Sequence, residues 1–172
     1  MGKIEGSWSG MRKYLEKEML APSLKGKVRY NATTYVGMDG DCIFEVYLDG
    51  KLTKQFSFET VNSYFIKNKL NKTKPPFGAN DYWDGFWDLM DEYPIKDRAE
   101  YTDQEFCEAL AQYRNQSIDI SLGSENPIVM MFAILDRRLG KRSLEKLSST
   151  IKDTPAWLRE FYEFRLKNEE IL

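Results

Sequence analysis

Ser124-Glu-Asn-Pro127-Ile-Val-Met-Met-Phe-Ala-Ile-Leu135-Asp136-Arg137-Arg138-Leu139-Gly140-Lys-Arg142-Ser-Leu144 is the stretch on which the fold turns. Between Pro127 and Leu135 no side chain is polar, so the segment must be covered on nearly every side whatever its conformation. Such a run suits a buried strand or a buried helix. Asn126 as an N-cap, Pro127 at the first helical position and Gly140 as a stop favour the helix, which is expected to be the middle of the core.

C-terminal to it, a last helix is expected from Thr154, with Pro155 in its first turn and Trp157, Leu158, Phe161, Tyr162 and Phe164 on a broad apolar face. N-terminal to it, a helical turn is expected near Ile118 to Leu122. Before that, Thr102 and Glu105 form a capping box ahead of Phe106, Leu110 and Tyr113 at helical spacing. A shorter helix is expected from about Gly85 to Glu92, stopped by Pro94.

The first part of the chain has a different period. Met11, Leu15 and Met19 recur every four residues, which predicts an amphipathic helix over Trp8 to Leu20, ended by Pro22. Three runs of period two follow, with Val28, Tyr30, Ala32, Thr34 and Val36 on one face, then Cys42, Phe44, Val46 and Leu48, then Leu52, Phe56 and Phe58. Asp39-Gly40 and Asp49-Gly50 separate them as hairpin turns. Val61, Tyr64 and Phe65 return to helical spacing, so the buried face of this meander should receive that helix, the first one, or both. Lys69, Lys72 and Lys74 followed by Pro75-Pro76 mark a solvated exit. The expected class is α+β: an N-terminal helix, a three-stranded antiparallel meander and a covering helix (8–74), then an all-helical C-terminal half (80–172) packed on them, as one domain over 1–172.

At 172 residues, 42% hydrophobic and 30% charged, the chain is long enough for one well-buried core. No apolar segment reaches the roughly 20 residues that span a bilayer, and the start lacks a signal-peptide pattern, so a soluble, unexported protein is expected. Residues 1–7 carry no pattern and are set aside. Cys42 and Cys107 sit in patterned segments, which favours reduced thiols and a cytoplasmic location. Histidine is absent, which excludes His-based triads and His–metal sites. No phosphate-cradling glycine loop, Cys-x-x-Cys pair, nucleophile elbow or metal-ligand cluster is present, so no catalytic residue, metal ligand or cofactor is nominated. Cys107 reads as a core thiol.

The Trp8-Ser9 helix start, Leu24-Lys-Gly-Lys-Val-Arg-Tyr30, and Asn126-Pro-Ile-Val129 running into Leu135-Asp-Arg-Arg-Leu-Gly-Lys-Arg142 together resemble an uncharacterised family of small bacterial cytosolic proteins. The likeness spans most of the chain. It implies a bacterial, cytosolic protein and carries no activity with it. Met130 departs from the basic residue that the resemblance leads one to expect there.

Two surfaces are candidates for function. From Asp81 to Glu108 there are ten acidic residues against Lys96 and Arg98, a local balance of −8 in a chain of net −2, so the remainder carries +6. Interleaved with the acids, Tyr82, Trp83, Asp84, Trp87, Asp88, Asp91 and Tyr93 can steer and anchor a basic protein partner, as an inhibitor or immunity-type protein requires. The same pattern also describes aromatics facing the core with acids on their wet side. Arg137, Arg138 and Arg142, with Lys141, can grip phosphate or an acidic surface. They can equally serve the dipole at a helix end, or pair with the acidic stretch inside the molecule. The preferred reading is a non-catalytic protein-binding module, monomeric or weakly dimeric. The alternatives are nucleic-acid binding through the lysine and arginine clusters, or an enzyme without histidine chemistry. The α-β-β-β-α order is shared with double-stranded RNA-binding domains, but Lys67, Lys69, Lys72 and Lys74 fall toward the wrong end of the second helix.

Overall fold

The computed structural model describes residues 4–34, 42–76 and 78–171. In chain order the elements are α1 (Trp8–Lys13), continued by a π-helical turn (Tyr14–Glu18), then β1 (Val28–Thr34), β2 (Cys42–Leu48) and β3 (Lys51–Phe56). They are followed by α2 (Phe58–Lys67), α3 (Tyr82–Glu92), α4 (Asp103–Arg114), α5 (Ile118–Leu122), α6 (Pro127–Leu135), α7 (Lys141–Leu147) and α8 (Ala156–Asn168). This is the α+β order expected: a helix, a three-stranded antiparallel sheet in the order β1-β2-β3, a helix, and a helical second half. Val36 and the Asp39-Gly40 turn lie outside the described residues.

All nine residues of α6 are buried. Asn126 caps it, its Oδ1 accepting from the Ile128 N–H at 3.0 Å. The helix does not run on to Gly140. It stops at Leu135 because Asp136 is extended (φ −73°, ψ 138°) and pairs with Leu20 in a short antiparallel bridge. Across that bridge the Ala21 N–H donates to Leu135 O at 2.9 Å and the Arg137 N–H to Met19 O at 2.8 Å. The guanidinium of Arg165, buried on α8, donates to the carbonyls of Ile134 (3.0 Å), Asp136 (3.0 Å) and Leu139 (2.9 Å), so a distant side chain satisfies the groups that a helix end leaves open. Gly140 is the N-cap of α7, and Lys141 and Arg142 therefore open a helix where they were expected to close one.

In the sheet, Asp49 and Gly50 both take positive φ (47° and 78°), as a type I′ hairpin turn requires. Val28, Tyr30, Phe44, Val46, Leu48 and Phe56 are buried as their spacing predicts. The third strand departs from its pattern. Its register passes from Val46↔Lys54 to Tyr47↔Leu52, which leaves Thr53 as an extra, bulged residue. Leu52, opposite Tyr47, is thereby exposed, while Lys54, opposite Val46, is buried on the same side as Phe56. Burial of that ammonium is tolerated because its Nζ donates to Ala99 O (2.6 Å) and to Glu100 Oε2 (2.8 Å) and lies 5.3 and 5.1 Å from the ring centres of Tyr101 and Trp157. Burial lowers its pKa from the ordinary lysine value, with Glu100 opposing the shift.

The buried face of the sheet is covered by aromatic contacts from four helices. Trp8 of α1 packs on Phe44 (5.3 Å between ring centres), and Phe106 of α4 packs on Phe44 (4.4 Å) and Phe56 (4.9 Å). Phe132 of α6 stacks on Tyr30 (6.3 Å) and Trp157 of α8 meets Phe56 (6.4 Å). The first helix thus shares in the covering, as expected. The second does something else with its apolar stripe: Val61 and Phe65 join Phe86 and Leu89 of α3 in a separate, smaller core, with Phe58 packed at its side. The capping box of α4 is formed as read, by Thr102 and Glu105, and Cys107 is a buried free thiol.

Candidate functional site

α3 begins at Tyr82, ahead of the expected start near Gly85. Gly85 lies inside the helix because the chain at Lys74 and Pro75 passes directly against it: a Cβ there would stand 2.8 Å from Pro75 Cδ. Tyr82, Phe86 and Leu89, at i, i+4 and i+7, form the buried stripe, and the Tyr82 hydroxyl donates to Asn62 Oδ1. Trp83 and Trp87 fall off that stripe and are 48% and 52% exposed. Asp84, Asp88 and Asp91 are exposed beside them, and Tyr93 is half-buried where the helix ends. The aromatics of this stretch therefore divide, Tyr82 facing in and the two indoles facing out.

The indoles are held from beneath. Phe58, at the start of α2, lies 4.9 Å from Trp83, 6.0 Å from Trp87 and 4.2 Å from Phe86. Trp83 and Trp87 also meet the buried Phe86 ring edge to face, at 6.0 and 5.4 Å. The result is an aromatic platform resting on the small second core.

Part of the acidic stretch is neutralised internally. Lys74 Nζ lies 2.8 Å from Glu92 and 3.6 Å from Asp88, and the hydrogen bond to Glu92 raises its pKa. Buried Arg98 pairs with Glu105 and donates to Tyr93 O (2.7 Å) and Glu100 O (3.0 Å), which straps the end of α3 to the start of α4. Lys54 takes Glu100. Among the described residues, Asp84 and Asp91 have no ion-pair partner.

The cationic group is organised elsewhere. Asp136 is buried, and its carboxylate accepts from the Tyr113 hydroxyl and from Arg138 Nη2 at 2.6 Å and Nε at 3.1 Å. The Arg138 guanidinium lies 5.9 Å from the centre of the Tyr113 ring. Bonding to Asp136 raises the pKa of Arg138, while burial and then Asp136 raise that of Tyr113. Arg138 thus pins the exit of α6. Arg137, Lys141 and Arg142 are exposed, and among the described residues none has an ion-pair partner. The helix-dipole account fails for Lys141 and Arg142, which occupy the first turn of α7, where the dipole disfavours positive charge; Arg137 and Arg138 follow the C-terminal end of α6. The platform sits over the second core and Arg138 over Tyr113 of the main core, so the two nominated groups belong to different parts of the fold.

Sequence reasoning missed Phe58, Lys74 and Gly85, which build the platform. The spacing of Tyr82, Phe86 and Leu89 was the signal that would have separated the inward aromatics from the outward ones. Two cavities, one beside Tyr113 and Asp136 and one between Asn62, Lys74 and Gly85, are each about the size of one water molecule. Among the described residues no group of three or more acidic or cysteine side chains is placed to hold a metal ion, and no helix is long and apolar enough to cross a membrane.

No curated protein and no solved structure matches the chain. The match to a family runs over residues 7–166, from the N-cap of α1 into α8. The chain belongs to the SF0329 protein family.

Proposed function

We propose that this protein is a non-catalytic protein-binding module of the bacterial cytoplasm, of inhibitor or immunity type, and that the outer side of α3 is its contact face. The exposure of Trp83 and Trp87, side by side on the Phe58 and Phe86 rings, is the observation that carries this reading. Two half-exposed indoles on one helix face are costly to leave in water, and tryptophan is the residue most enriched among interface hot spots. Asp84, Asp88 and Asp91 supply the charge that steers a basic partner toward them. The buried thiol of Cys107 is in keeping with a reducing compartment.

The test is capture from the native host with wild-type protein and with the Trp83→Ala and Asp88→Lys variants, followed by titration of each captured protein in pure form. At least a tenfold weakening by Trp83→Ala is expected; a partner bound equally by all three proteins overturns the assignment of the face. A second reading rests on Arg137, Lys141 and Arg142, three cations without an ion-pair partner among the described residues, two of them placed against a helix dipole. In that reading the α6–α7 junction binds nucleic-acid phosphates, and affinity in a gel-shift titration falls steeply with added salt. Binding that is absent, or flat with salt, removes it.

A further inference from the structure

Resting on the reading just given for α3, we infer that the group seated on Trp83 and Trp87 is the guanidinium of an arginine in a basic segment of the partner, flanked by Asp84 and Asp91.

The geometry of the helix comes first. Trp83 and Trp87 are four residues apart, so they stand one above the other on one side of α3, with Cβ atoms roughly 5–6 Å apart. At about 100° per residue, Asp91 and Asp84 follow roughly 60–80° round the helix, and Asp88 and Glu92 lie farther round. Lys74 bridges the far pair, Asp88 and Glu92. The near pair is left for an incoming cation.

The rest of the chain shows what is missing here. It places Lys54 over Tyr101 and Trp157, Arg98 over Tyr101, Arg114 over Tyr14 and Arg138 over Tyr113. Among the described residues no cation lies over Trp83 or Trp87, although indole is the best ring for such a contact. The two most exposed indole faces, beside two carboxylates with no ion-pair partner among the described residues, are therefore complementary to a cation from outside.

Arginine meets both demands at once. Its planar fork can stack on an indole while its edge bonds a carboxylate, whereas an ammonium is a compact and strongly hydrated point charge. A nucleic-acid base would also stack on these rings, but its phosphates would meet the carboxylates, and single-strand binding surfaces are positively charged.

Isothermal titration of the full chain with nona-arginine and nona-lysine peptides, at matched ionic strength, tests the inference. The arginine peptide is expected to bind about tenfold more tightly. The Trp83→Ala/Trp87→Ala double variant should abolish that preference, and Asp84→Asn/Asp91→Asn should weaken both peptides. Equal affinities, a preference that survives loss of both indoles, or no binding of either peptide overturns the inference. None of these results touches the broader reading of α3 as a contact face, which stands or falls on the Trp83→Ala titration of the captured partner.

Discussion

Arg165→Met removes every donor from a buried guanidinium while keeping an apolar stem of similar reach. In the folded protein that guanidinium holds the carbonyls of Ile134, Asp136 and Leu139 at 2.9–3.0 Å, and its Nε lies 3.0 Å from Glu169 Oε1. Leaving a buried carbonyl without a donor costs about 1–3 kcal/mol. The three share one donor group and will not add in full, so the expected loss is about 3–5 kcal/mol, the range for breaking a buried charged pair. Against a total stability of about 5–15 kcal/mol this is a large share. At about 2–4 °C per kcal/mol it lowers Tm by roughly 6–20 °C. Urea unfolding followed by circular dichroism reads the effect as a lower midpoint at unchanged slope. Arg142→Met, on the exposed start of α7, serves as the control and should stay within about 0.5 kcal/mol of wild type. A loss below about 1 kcal/mol for Arg165→Met would refute the claim that this side chain satisfies the carbonyls left open after α6.

Three further outcomes are expected. Gly85→Ala places a Cβ 2.8 Å from Pro75 Cδ, so it should destabilise by about 1–3 kcal/mol in thermal unfolding even though alanine is the better helix former; a stabilised variant would mean that the Lys74-Pro75 crossing yields freely. Lys54→Met strips Glu100 of its partner and should cost about 1–3 kcal/mol in urea unfolding, whereas Leu52→Lys on the exposed side of the bulge should change stability by less than about 0.5 kcal/mol. Burial, and after it Asp103, pushes the Cys107 thiol from 9.0 up to about 12. A pKa raised on folding stabilises fully below the unfolded value and is lost as pH climbs through the folded one, so this contribution declines between about pH 9 and pH 12. Cys107→Ala should flatten the first part of the alkaline fall in Tm, before the buried tyrosines titrate; an unchanged profile contradicts that assignment.

The parts of the fold legible from sequence are those fixed by neighbours along the chain. Asn126-Pro127 and an unbroken apolar run specify where α6 begins, Thr102 and Glu105 specify α4, and Asp49-Gly50 specifies the hairpin. Where the expectation failed, the cause lay far away in sequence. The end of α6 is set by Leu20 across a bridge and by Arg165, neither visible from the local pattern, and Gly140 therefore looked like a stop when it is the next helix's cap. One extra residue at Thr53 turned Leu52 off the face that Lys54 and Phe56 share, because the period of a strand carries no mark of a bulge. The outward turn of Trp83 and Trp87 was open to inspection once α3 is begun at Tyr82. That Phe58 would lie beneath them was not, since it depends on how α2 and α3 pair.

The aromatic face of the meander has a consequence for the nascent chain. Phe44, Val46 and Phe56 leave the ribosome early, but Phe132, which backs Tyr30, is made about 75 residues after Phe56, roughly 4–15 s later at ~5–20 residues per second. Trp157 and Arg165 come later still. Through that interval the hairpins present a sticky, half-finished surface, so slowing translation before Pro127 should increase the demand on chaperones more than the same pause placed after Asn168.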